Sequence, residues 1–239
     1  TYSGSGVVVD EIYEVTTPYT SAQINDVRFA QSADVMYLVH PSHAVRKLSR
    51  SDHNNWSFAT PSFTENTVPS LTGTDNHPSV VTFFEQRLVF AATNNNPQTL
   101  FFSKNAQYEN FTTGTNDNDA LIYTIASNKV NAIRYLSATR ILNIGTSGGE
   151  YVLTTTNGSP ITPTSTVIRK YSNYGCVSAE VVQVADVTLF AQRGARKVRE
   201  FRYVGEVDVG GYTAPDITVL AEHLTEGGIK EFAFQQEPE

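Results

Sequence analysis

Short apolar runs alternate with polar turns along almost the whole chain. The runs are rich in β-branched and aromatic residues and too short for helices, so they predict strands. The opening phrase reads Val27 to Ala30, the turn Ser32-Ala33-Asp34, then Val35 to Val39. Its second run returns as Leu88 to Ala91, Ile141 to Ile144 and Val187 to Ala191, with starting points 53, 53 and 46 residues apart. A period near ~50 residues lies at the long end for four-stranded propeller blades and is too long for leucine-rich or ankyrin units.

Each second run is followed by residues that favour turns and then by a third run. The turns are His40 to His43, Thr93 to Pro97, Thr146 to Gly149 and Gln192 to Gly194. The third runs are Ala44 to Leu48, Leu100 to Ser103, Tyr151 to Thr154 and Lys197 to Tyr203. An aromatic closes the first two repeats, Trp56 and Phe111, in a position to pack between neighbouring blades. The third repeat instead enters a Pro/Thr segment, Pro160 to Pro163, where a fourth strand is hard to place.

The fold class expected is therefore all-β, with β-propeller-like repeats that form an incomplete propeller. An all-β sandwich is the alternative, although it does not explain the near-equal spacing. Residues 1–26 read as an opening segment, with Val7 to Val15 as an outer strand, and residues 27–203 as four partial blades. Residues 204–239 read as a C-terminal arm or the start of a following blade. Within that arm Thr218 to Thr225 fits a short helix or a strand, with Leu220 and Leu224 at i, i+4 and Gly227-Gly228 as its stop.

With 239 residues, 40% of them hydrophobic and 17% charged, the chain can bury a large core, and collagen-like, coiled-coil and highly charged disordered classes are excluded. The net charge of −7 argues against a generic basic glove for nucleic acid. Cys176 is the only cysteine, so no intrachain disulfide forms. No apolar run approaches the ~20 residues of a membrane-spanning helix. The chain starts at Thr1 with no visible signal peptide and ends at Gln235 to Glu239 just after the alternating Phe232 and Phe234. It reads as an excerpt of a longer protein.

Several stretches carry a resemblance. Thr17-Pro-Tyr-Thr20, Val27-Arg-Phe-Ala-Gln-Ser-Ala-Asp-Val-Met-Tyr37, and His40-Pro-Ser-His43 with Arg46-Lys-Leu-Ser-Arg50 are similar to a family of tailed-bacteriophage and prophage structural proteins. So are Asn110-Phe-Thr-Thr-Gly114, Asp117-Asn-Asp-Ala120, Tyr174-Gly175, the segment Ala191 to Phe201, Pro215 to His223 and Phe232 to Glu237. The family resembles the tail nozzle, or tail hub, proteins of short-tailed phages. The resemblance implies a fold built around a β-propeller and a virion tail component assembled in the host cytoplasm. It further implies a homo-oligomeric ring that contacts other head-to-tail or tail proteins and lets the genome pass on ejection. It brings no catalytic residue, cofactor or metal with it.

The motifs that bear on chemistry each have a plainer reading. Gly145-Thr-Ser-Gly-Gly149 matches the G-x-S-x-G nucleophile elbow in form, but a strand follows it, and Gly148-Gly149 suits a hairpin better. His40 and His43, with His77 further on, lack a third ligand for zinc. Asn116-Asp-Asn-Asp119 lacks the glycine and distal glutamate of a calcium loop and reads as a turn in which Asp117 and Asp119 bond their own backbone. No carboxylate pair stands out for a propeller glycosidase.

The densest charge lies in Arg193, Arg196, Lys197, Arg199 and Arg202, against Glu200 alone. These five are the candidate interface residues, facing a neighbouring subunit or, less favoured, DNA phosphates; a solvated strand edge is the plain reading. The aromatics on the repeated strands are expected in the core, and only a row of them exposed on one rim would speak for a receptor- or carbohydrate-binding module. The expected role is thus a structural conduit subunit, with the binding module and the glycosidase as rivals.

Overall fold

The computed structural model describes residues 3–4, 7–8, 13–66, 70–71, 73–127, 129–155, 159–205 and 211–237. A small pair, β1 (Ser3–Gly4) and β2 (Val7–Val8), precedes the main body, and Ile24–Asp26 forms one 3-10 turn. The first sheet holds β3 (Arg28–Ser32), β4 (Val35–His40), β5 (His43–Asp52) and β6 (Asn55–Ala59). Next comes the short β7 (Thr64–Glu65). The second sheet follows, with β8 (Pro78–Phe84), β9 (Arg87–Thr93), β10 (Thr99–Phe102) and β12 (Leu121–Thr124); between its last two strands β11 (Asn110–Phe111) pairs in parallel with β7. The third is β13 (Ile133–Ala138), β14 (Leu142–Thr146), β15 (Gly149–Thr155) and β16 (Thr166–Ser172). The fourth is β17 (Val182–Val184), β18 (Val187–Ala191), β19 (Val198–Val204) and β20 (Gly211–Thr213).

The chain is all-β, and each four-stranded sheet is an antiparallel meander in chain order. The strands divide among four sheets rather than the two of a sandwich. The second and third runs of every repeat fall on the second and third strands of a sheet. The hairpins use the backbone their residues permit: Ala33 and Ala185 take positive φ at equivalent turns, and Glu85 and Gln86 both do so between β8 and β9, as a type I′ turn requires.

The core lies between the sheets. Strand β9 is buried on both faces because the period of two sends its residues to different neighbours. Leu88 and Phe90 pack with Tyr37, Val39 and Val45 of the first sheet, whereas Val89 and Ala91 pack with Ile133, Leu142 and Ile144 of the third. A further seam joins the third and fourth sheets through Tyr135, Val152, Phe190 and Phe201. Each fully buried large side chain in these seams contributes ~1.5–3 kcal/mol from removal from water. The outward faces of the end sheets are only half-buried, at Met36 and Leu38 on β4 and at Leu189 on β18.

Residues at the start of all four sheets line one cavity of about 80 Å³: Arg28 and Phe29, Val80 and Val81, Arg134 to Leu136, and Ala179 to Val181. The first and fourth sheets meet there through a polar contact, Arg28 Nη2 donating to the Ser178 carbonyl at 2.6 Å. Among the described residues no apolar cluster spans this fourth boundary.

Three sequence expectations shift. Phe111 is not on a fourth strand; it sits in β11 and fills the first seam beside Phe63 and Phe90, at 5.4 and 5.7 Å between ring centroids. It does pack between sheets, whereas Trp56 on β6 stays half-exposed, with its indole N–H on the His53 carbonyl. The missing fourth strand of the third repeat is β16, and that of the fourth repeat is β20, so the repeated region runs on to Thr213. Val7–Val8 pairs only with Ser3–Gly4, residues 13–15 are irregular, and residues 9–12 lie outside the described residues. The arm carries a 3-10 turn at Glu222–Thr225.

Candidate functional site

A concavity of about 590 Å³ opens where the β3–β4 hairpin of the first sheet faces the segment Gln107 to Asn110. Tyr37, Phe83 and Tyr108 form its apolar wall, with Tyr108 edge-on to Phe83 at 5.0 Å. Glu109 enters from the loop and accepts both the Tyr37 hydroxyl at 2.9 Å and the Lys47 ammonium at 2.5 Å. Burial first, and then the bond to Glu109, raises the Tyr37 phenol far above its ordinary range. A buried phenol and a lysine thus hold the carboxylate in place as a hydrogen-bond acceptor. Among the described residues that line the cavity it is the one carboxylate.

The five basic residues of the β18–β19 region do not form one surface. Arg199 is buried: its Nε donates to Gln192 Oε1 at 2.8 Å, its Nη1 to the Ala214 carbonyl, and its guanidinium stacks 3.4 Å from the Tyr174 ring centroid. It ties β19 to the loops on either side, which takes it out of any interface. Lys197 pairs with Asp216 at 2.9 Å and Glu222 at 2.8 Å, which pins the C-terminal arm to β19. Arg202 lies beside Glu200 at 3.5 Å. Arg193 and Arg196 are exposed.

Gly145 to Gly149 forms the β14–β15 hairpin with Thr146 opposite Gly149, so Ser147 stands on a turn between strands and not on a nucleophile elbow. His40 and His43 face each other across β4 and β5 at 5.1 Å between ring centroids, against Tyr19. His40 Nδ1 accepts the Ser42 amide, His43 Nε2 bonds Gln23, and burial lowers the His40 pKa. Among the described residues no three His, Cys, Asp or Glu side chains gather as metal ligands. Asp119 closes the predicted turn on the Asn116 amide and pairs with Lys104 at 2.8 Å.

Two buried polar clusters escape sequence reasoning. Arg87, 1% exposed, donates to the carbonyls of Ser103, Asp119 and Asp117 at 2.6–2.8 Å and so organises the long β10–β12 connection. Glu150 is fully buried: its Oε2 accepts the Ser172 hydroxyl, while its Oε1 has no hydrogen-bond partner among the described residues, and burial, the largest influence, raises its pKa. Only its place after a glycine hairpin, on a strand otherwise apolar, hinted that Glu150 would turn inward.

No protein-family model matches the chain, and no curated protein matches it in sequence.

Proposed function

We propose that the chain is a structural module of a tailed-phage virion. In this reading it is an incomplete β-propeller that assembles into a homo-oligomeric tail nozzle or head-to-tail conduit and does no catalysis. The sequence resemblance names the class. The observation that carries the assembly is the surface left unfilled. Leu220 and Leu224 on the arm are 96% and 75% exposed, and Val219, Ile217 and Phe234 of the same C-terminal segment are exposed as well. Exposed apolar groups concentrated on one segment mark an interaction site. The cavity where the four sheets meet is far too small for duplex DNA, so a channel for the genome would run between subunits and not through one.

Light scattering on the chain, and on a Leu220→Glu/Leu224→Glu variant, tests this. A defined oligomer that the variant dissolves into monomers supports the reading. A wild-type monomer at high concentration overturns it.

The concavity beside Glu109 favours one second reading, a virion module that binds a receptor glycan. Its aromatic wall and fixed carboxylate suit a sugar face and its hydroxyls. A glycan array without hits, or hits that survive Tyr108→Ala, would remove that reading. A glycosidase would need a second carboxylate facing Glu109, and the described lining supplies none.

A further inference from the structure

A second concavity, about 470 Å³, opens at the end of the third sheet, where the β12–β13 connection, the β14–β15 hairpin and the β18–β19 turn converge. Three cations border it, Lys129, Lys170 and Arg193, with Ser127, Asn131 and Tyr151 beside them. No acidic residue is among the described residues that line it. In a chain of net charge −7, three cations on one hollow without an acid is a marked local excess. None of the three forms an ion pair with a described residue, whereas Lys47, Lys104 and Lys197 all do.

The hollow is built, not left over. Lys170 is the cross-strand partner of Tyr151, and its ammonium lies 5.6 Å from that ring centroid. Its stem crosses Gly149 so closely that a Cβ there would lie 2.4 Å from Lys170 Cε. The Arg193 amide donates to the Gly175 carbonyl at 2.8 Å, which anchors the turn that carries the guanidinium. Asn131 donates to Ser127 Oγ at 3.2 Å, and its amide end occupies the space beside Gly148 that a side chain there would claim. The hairpin glycines therefore do more than permit the turn: they let Lys170 and Asn131 reach the rim.

We propose that this hollow binds a phosphate or sulfate group carried on a small polar molecule. Charge-assisted hydrogen bonds from Lys129, Lys170 and Arg193 would hold the oxyanion. The volume falls in the range of small-molecule sites and exceeds what a bare oxyanion fills, so the rest of the ligand would lie on Ser127 and Asn131. The concave shape favours a discrete ligand over a nucleic-acid backbone, which tracks an extended basic stripe. The site is independent of the assembly reading and stands or falls by its own test.

The test is titration of the wild-type chain with inorganic phosphate, pyrophosphate and a short DNA duplex, followed by calorimetry and by amide shifts of Asn131, Gly148 and Arg193. Pyrophosphate is expected to bind more tightly than phosphate, with saturable shifts at those amides. Lys170→Ala and Arg193→Ala should each weaken it about three- to tenfold, while Arg196→Ala, an exposed cation outside the hollow, leaves it unchanged. Equal affinity in all three variants, or no saturable shift, overturns the proposal. Binding of the duplex without either phosphate overturns it in favour of a nucleic-acid surface.

Discussion

Arg28 at the start of the first sheet donates to the backbone carbonyl of Ser178, 150 residues further along the chain, at 2.6 Å. This bond joins the first and last sheets across a boundary that lacks the apolar filling of the other three. The sheets are thus held by three hydrophobic seams and one polar clasp.

Arg28→Ala should therefore be mild in global stability and specific in place. Besides the Ser178 bond, the substitution removes two local bonds from Nη1 to the Asn25 and Val27 carbonyls; for partly exposed bonds the loss is about 1–2 kcal/mol, a few degrees in Tm. Hydrogen exchange should accelerate at residues 178–184 and along β3, with Phe90 and Ile144 unchanged. Uniform acceleration across all four sheets would show that the clasp is not a local element.

Arg87→Met should be far more costly. The substitution keeps the bulk but leaves the carbonyls of Ser103, Asp117 and Asp119 without their donor in a buried site. A loss of about 3 kcal/mol or more is expected in urea unfolding, because unsatisfied buried acceptors bear their full desolvation cost. Arg87→Lys should recover only part of it, since an ammonium cannot reach three acceptors in the guanidinium's planar fan.

Gly145 lies against the ring of Tyr135: a Cβ at Gly145 would fall 2.0 Å from Tyr135 Cε1. Gly145→Ala should destabilise by several kcal/mol, of the order seen for overpacked cores. The clash is with one ring, so Tyr135→Leu in the same chain should restore part of the loss, although Tyr135→Leu alone destabilises. Thermal melts of the three variants form the cycle, and strict additivity would contradict the contact.

Asp216 sets an acid limit. Bonds from the Thr218 hydroxyl first, and also from Lys197, hold its carboxyl at about 2, below the ordinary 3.8. A carboxyl with a depressed pKa in the folded state contributes stability that is present above its unfolded pKa and is lost as pH falls through the folded one. The arm should loosen between about pH 4 and pH 2, with Asp216→Asn removing that pH dependence. Limited proteolysis at 217–231 across this range reads it directly. Glu150 acts in the opposite sense, because its raised pKa makes the native state gain relative stability as pH falls.

The strands and their period were legible because each repeat is a meander with turn residues at fixed offsets, and the two middle ones are buried on both sides. That burial writes continuous apolar runs at Leu88 to Ala91 and Ile141 to Ile144. The hairpin at Gly145 to Gly149 and the turn that Asp119 closes on the Asn116 amide were legible for the same local reason, since their chemistry lies within a few residues. Strand β20 was not, because three residues are too few to show a period.

The fate of the basic run was beyond the sequence. Arg193, Arg196, Lys197, Arg199 and Arg202 look alike along the chain, yet one is buried on Tyr174, two lie beside acids, and one borders a hollow whose other cations lie 23 and 64 residues upstream. The sequence by itself determined an all-β chain of four repeated meanders, because alternation and turn chemistry are properties of neighbours. Only the tertiary structure decided which charges are spent in the interior and which remain for a ligand or a neighbour. Desolvation and pairing depend on what other strands bring within a few ångströms, and no local pattern encodes that distance.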